Sequence, residues 1–148
     1  MNSIEIKEVK TKTDFMQFVK LQWQIYRDDQ NWVPPLIMDM KTKFDPAKNP
    51  LFDHAEIASF IALKDGKPVG RICAIIHKRH NQFHNEKTGF FGFFETVDDF
   101  EVASKLLDTA KSWIKAKGMN NMRGPANFSC NDDWGLLIEG FDSSPVVM

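Results

Sequence analysis

Two cysteines in 148 residues, Cys73 and Cys130, are too few for a disulfide framework. Both read as reduced thiols, which suits a cytoplasmic protein. No apolar run approaches the ~18 residues of a membrane span. The first twenty residues interleave Glu, Lys and Asp with apolar residues, which argues against a secretory signal. Neither sign of charge dominates: the net charge is −1, so no global field recruits nucleic acid or an anionic membrane. Repeats and low-complexity linkers are missing too. What remains is ordinary globular composition, 43% hydrophobic and 26% charged, at a length that suits one domain over residues 1–148.

The most ordered stretch runs from Gly89 to Pro125. Gly89-Phe90-Phe91-Gly92-Phe93-Phe94 has neither charge nor alternation, as in a strand buried on both faces. A glycine in its middle implies a bulge or the close approach of other backbone. Asp98 and Glu101 predict an N-cap and capping box. Val102, Ala103, Leu106, Leu107, Ala110, Trp113 and Ile114 then form one apolar helical stripe, read as core. Lys111, Lys115, Lys117 and Gly118 mark the helix end. Met119 to Arg123 returns as a strand before Gly124-Pro125, closing a right-handed parallel strand–helix–strand unit that is expected to be central.

Upstream, Ile4, Ile6 and Val9 predict a short strand. Thr11 and Asp14 start a helix ending near Arg27 or Asp28. Pro35 opens a shorter helix through Met40, and residues 45–50 are loop. Asp65-Gly66 predicts a hairpin between Ala55–Lys64 and Lys67–His77. Lys78 to Thr88 reads as a surface loop. Asn131 or Asp132 is expected to cap a last short helix over Trp134, Leu136 and Leu137.

His77, His80 and His84, with His54 upstream, have a spacing that zinc could use, but the basic surroundings and the lack of a nearby cysteine favour surface histidines and no metal site. Cys130 reads as a small half-buried thiol rather than a nucleophile, no histidine lying near it in sequence.

The element order, together with Trp32-Val33-Pro34-Pro35, Lys48-Asn49-Pro50, His54-Ala55-Glu56, Gly89 to Glu95, Arg123-Gly124-Pro125, Asn127-Phe128-Ser129 and Gly135 to Asp142, resembles a group of bacterial proteins in the GNAT (GCN5-related N-acetyltransferase) superfamily. The resemblance implies an α/β (α+β) fold: a twisted mixed sheet with helices on both faces, incomplete at its C-terminal end because members of the group run much longer. It implies transfer of an acetyl or other acyl group from acyl-CoA to the amine of a small molecule. The pantetheine arm would lie on Phe93, Phe94 and Glu95, the pyrophosphate near Thr96 and Val97 at the start of the next helix, and Asn127 and Ser129 beside the arm. Asn127 and Ser129 serve equally well as turn formers. Glu95 stands where several members carry a general base, but the residue itself reads rather as a solvated strand-end carboxylate.

One departure counts against CoA. Such proteins carry a glycine-rich loop at the pyrophosphate, whereas Thr96-Val97-Asp98-Asp99-Phe100-Glu101 has no glycine and three carboxylates. The alternative is a non-catalytic half with a degenerate groove, whose role is packing against the missing half or forming a homodimer through its open sheet edge.

Overall fold

The computed structural model describes residues 3–129 and 131–145. Five strands form one mixed sheet in chain order: β1 (Ile4–Glu8), β2 (Ala55–Lys64), β3 (Lys67–His77), β4 (Thr88–Thr96) and β5 (Asn121–Arg123). Each of the first four is antiparallel to its neighbours among them, and β5 runs parallel to β4. The middle position therefore belongs to β3, with β4 interior beside the short edge strand. The helices are α1 (Lys12–Ile25), α2 (Ile37–Lys43), α3 (Lys78–His84) and α4 (Phe100–Ala116), with a 3-10 turn at Pro50–Asp53. Among the described residues no helix is long and apolar enough to cross a membrane.

The hairpin follows from its turn. Asp65 and Gly66 both take positive φ, 51° and 74°, as a two-residue turn matched to strand twist requires. β2 and β3 supply both layers of the core because they are covered on both faces. On one face, Val102, Leu106, Ala110 and Ile114 of α4 pack on Ala58, Phe60, Ile72 and Ala74. On the other, Phe18 and Val19 of α1 and Met40 of α2 pack on Ile61, Cys73, Ile75, Phe90 and Phe93. The Cys73 thiol lies in this layer fully buried, and its burial pushes the pKa up to about 12.

Four expectations are corrected. Residues 78–84 are helical, not loop: the His77 imidazole caps the segment by accepting from the His80 N–H at 3.1 Å, and Asn85 ends it with a φ of 51°. The N-cap of α4 is Asp99 rather than Asp98. Its carboxylate accepts from the Glu101 N–H and pairs with Lys64 at 2.9 Å, a tertiary partner that decides between adjacent aspartates. No helix forms over Trp134 to Leu137; the segment is irregular, and Leu136, Leu137, Ile138 and Phe141 lie exposed. Trp113 is half-buried at the edge of the α4 layer with Lys117 over its ring, while Leu106 is fully buried. Cys130 lies outside the described residues.

α1 begins with a reciprocal cap. The Thr11 hydroxyl accepts from the Asp14 N–H at 3.0 Å, and Asp14 accepts from the Thr11 N–H at 3.1 Å. Lys7 donates to the other Asp14 oxygen at 2.6 Å. Lys7, followed by the backbone N–H of Lys10, holds the Asp14 carboxyl well below its ordinary range.

Two outcomes follow. Leu106→Ala should cost about 2–5 kcal/mol in urea unfolding, and Trp113→Ala distinctly less; the reverse order would misplace the core. A depressed folded pKa means that the Asp14 contribution is complete above its unfolded value of 3.8 and is lost as the pH falls below it. Asp14→Asn should therefore flatten the fall in stability between about pH 5 and about pH 2, read by thermal unfolding across that range.

Candidate active site

β4 changes parity at its centre. Phe90 and Phe93 face the α1 layer, whereas Phe91 and Phe94 face the α4 layer. Strict alternation would put Phe90 and Phe93 on opposite faces, so one residue is inserted between them. The β3–β4 register slips between Arg71 and Cys73, and Phe93 takes a φ of 51°. Gly92 permits this: a Cβ there would lie 1.8 Å from the Ala126 carbonyl oxygen. The pattern Phe-Phe-Gly-Phe-Phe is the sequence signature of a bulged strand buried on both faces.

β5 pairs with β4 only from Thr88 to Phe90. Beyond Arg123 the chain passes the cis Gly124–Pro125 bond. The Ala126 N–H then donates to the Phe91 carbonyl at 2.8 Å, and the regular ladder stops there. The parting of the two strands thus coincides with the bulge.

The bulge is held by a buried arginine. Arg71, 2% exposed, donates from Nε to the Phe93 carbonyl at 3.0 Å and from Nη1 to the Phe18 carbonyl at 2.9 Å. Its guanidinium lies 4.9 Å from the Phe18 ring centroid. Burial lowers its pKa to about 10, against the opposing pull of Glu95. Glu95, paired with Arg71 in the register, accepts from Gln22 Nε2 at 2.9 Å and from the Tyr26 hydroxyl at 2.5 Å. Burial, together with that bond to Glu95, raises the Tyr26 phenol and keeps it a donor. Glu95 is thus half-buried with both oxygens engaged, by Gln22 of α1 and by Tyr26 that caps it, rather than a freely solvated strand end.

The other residues expected to hold a cofactor have internal partners. The Phe93 N–H donates to Asn127 Oδ1 at 2.8 Å. Phe94 packs against the α4 layer. The Thr96 hydroxyl donates to the Val97 carbonyl at 3.0 Å, and the Val97 N–H to the Val69 carbonyl at 2.9 Å. Ser129 Oγ donates to Asp132 and accepts from the Asn131 N–H, as a turn former does. The structure joins Asn127 to Phe93 at the bulge, ties Glu95 two residues on to Gln22 and Tyr26, and ties Ser129 to Asn131 and Asp132. Sequence reasoning missed Gln22, Tyr26 and Arg71; a single charge inside the apolar strand β3 was the available signal for Arg71.

The start of α4 does not fit a pyrophosphate. Asp99 caps the Glu101 amide in its first turn, and Asp98 and Glu101 stand beside it. Lys64 holds the Asp99 carboxyl below its ordinary range and keeps it in the capping position. Among the described residues no three His, Cys, Asp or Glu side chains converge as a metal ion needs.

No family model matches the chain. It is 36% identical over 146 residues to the Bacterial ceramide synthase of Caulobacter vibrioides (strain NA1000 / CB15N), covering 98% of this chain and 38% of that protein. It is likewise 36% identical over 143 residues to Protein YghO of Escherichia coli (strain K12), covering 97% of this chain and 36% of that one. The chain thus spans less than two fifths of the length of these curated relatives. Among solved structures, a tandem GNAT protein from the clavulanic acid biosynthesis pathway superposes with a TM-score of 0.62 at 14% identity, over 84% of this chain and 40% of that one. An aminoglycoside N-acetyltransferase in complex with CoA superposes at 0.56 with 21% identity, over 86% and 79%. With its mixed sheet, its parted β4 and β5 and its bulged fourth strand, this chain has the GNAT acetyltransferase fold.

Proposed function

We propose that the chain is one GNAT-fold unit of an N-acyltransferase that joins an acyl group from acyl-CoA to a long-chain amine, and that the CoA groove of this unit is degenerate. The observation that carries the reading is the likeness, over nearly the whole chain, to a protein named as a ceramide synthase. A ceramide is the amide of a fatty acid with a long-chain amino alcohol, so its synthesis from acyl-CoA is the chemistry for which GNAT-type enzymes are built. The parting of β4 and β5 beside Glu95 supports the same reading. Glu95 is the candidate for receiving the amine proton as the C–N bond forms and the thioester C–S bond breaks.

The degenerate groove is favoured by a separate observation. Asn127 takes the Phe93 amide, and Asp99 takes the Glu101 amide in the first turn of α4. No phosphate contact is assigned to this unit. The phosphates would then be held elsewhere in the longer protein, and the exposed Leu136, Leu137, Ile138 and Phe141 are suited to pack against that further chain or a second copy.

Titration calorimetry tests both parts. Acetyl-CoA should bind this chain no tighter than millimolar, and Asp98→Asn with Asp99→Asn should tighten it about tenfold by removing like charge. Micromolar binding by the unmodified chain would sink the degenerate-groove reading. Mass spectrometry for the amide, with a long-chain acyl-CoA and a long-chain amino alcohol supplied, tests the reaction. If this unit supplies the base, Glu95→Gln should lower turnover about 100-fold or more.

A further inference from the structure

A cavity of about 400 Å³ opens at the other end of β4, between α3, β5 and the 128–134 segment. Five residues of strand, roughly 17 Å, separate Phe90 in its wall from Glu95. It is a second site, independent of the acyl-transfer reading. Its depth is aromatic: Phe90 is 7% exposed and Phe128 1%. At its mouth stand Phe83 and Trp134, 84% and 53% exposed, with Arg79, His84 and Arg123, also exposed. Such aromatics stay exposed at the rim of a concave surface for a ligand rather than for folding.

Charge selects the kind of ligand. Among the described residues lining the cavity there is no Asp or Glu, while Arg79, Arg123 and three histidines line it. Glu86 is not among the lining residues; it grips Arg123 at 3.1 Å and meets His80 at 2.6 Å, so it sets their positions. Among the described residues the ion pairs of this region are Lys78 and Lys117 with Glu56 and His80 and Arg123 with Glu86, and none uses Arg79. Asp132 and Asp133 belong to the same segment as the lining residues Asn131 and Trp134 without lining the cavity, and Asp132 is tied to Lys43. Burial, then the neighbouring His54, His80 and Arg79, lowers the pKa of His77, as an electropositive wall would.

We propose that this cavity binds a single-chain amphiphile with an acidic head, its chain lying on Phe90, Phe128 and Trp134 and its carboxylate or phosphate meeting Arg79 and Arg123. Arginine suits either head, because its planar fork matches both.

Calorimetry with dodecanoate and with dodecyl phosphate, each below its micelle concentration, tests the site against dodecyltrimethylammonium and butyrate. At least one acid should bind in the micromolar range, the ammonium at least about tenfold more weakly, and butyrate not measurably. Which acid binds better identifies the head. Arg79→Ala should weaken the acid about tenfold and Trp134→Ala severalfold. Both side chains are exposed, so the melting temperature should stay unchanged and exclude unfolding as the cause. Equal binding of acid and ammonium, no binding of either acid, or unaltered acid affinity in both variants would overturn the proposal.

Discussion

The buried guanidinium of Arg71 is the constraint on which the site depends. Placing a charge in the middle of a sheet is unfavourable unless its donors are satisfied. Here the donors reach the carbonyl of Phe93, which the bulge frees from the ladder, and the carbonyl of Phe18 on α1. The bulge supplies an acceptor to the arginine, and the arginine supplies a donor to the bulge. Neither is stable alone: a bare buried carbonyl costs about 1–3 kcal/mol. This exchange joins α1, β3 and β4 at one point, and Glu95, two residues beyond, inherits its position from it.

How far the fold was legible depended on how local its causes are. The hairpin was readable to its end residues because Asp65-Gly66 admits one turn type and the strands around it are uniformly apolar. Gly92 announced a bulge because no other residue leaves room for the Ala126 carbonyl. The helix at 78–84 was hidden because it has no apolar stripe; a histidine cap and an asparagine in left-handed conformation define it instead. The choice between Asp98 and Asp99 rested on Lys64, distant in sequence. A helix over Trp134 to Leu137 was expected from capping residues alone, but no core surface receives its apolar side chains.

The site was legible only in part. Phe93 and Asn127 meet because the strand–helix–strand unit brings β4 beside the chain after β5. The roles of Gln22 and Tyr26 were invisible, since the one reads as helix surface and the other as part of an apolar face until α1 is laid across the sheet. The three carboxylates before α4 gave the opposite lesson. Composition alone counted against that helix start as a phosphate cradle, and the Lys64–Asp99 pair explains why the acids are tolerated there: one of them is structural.

Asn127 makes the interior of the groove conditional. Its side-chain oxygen sits on the Phe93 amide, and its own backbone N–H is tied to the Asp133 carbonyl, 2.9 Å away. A molecule that claims the Phe93 amide must first displace Asn127 and pull on the 126–134 segment. The protein then behaves as an opening equilibrium, and the affinity observed is the intrinsic one multiplied by the fraction of molecules open at any moment. A contact that lifts residues 126–134 would raise that fraction without touching the ligand, which makes this asparagine a latch between surface association and access to the sheet.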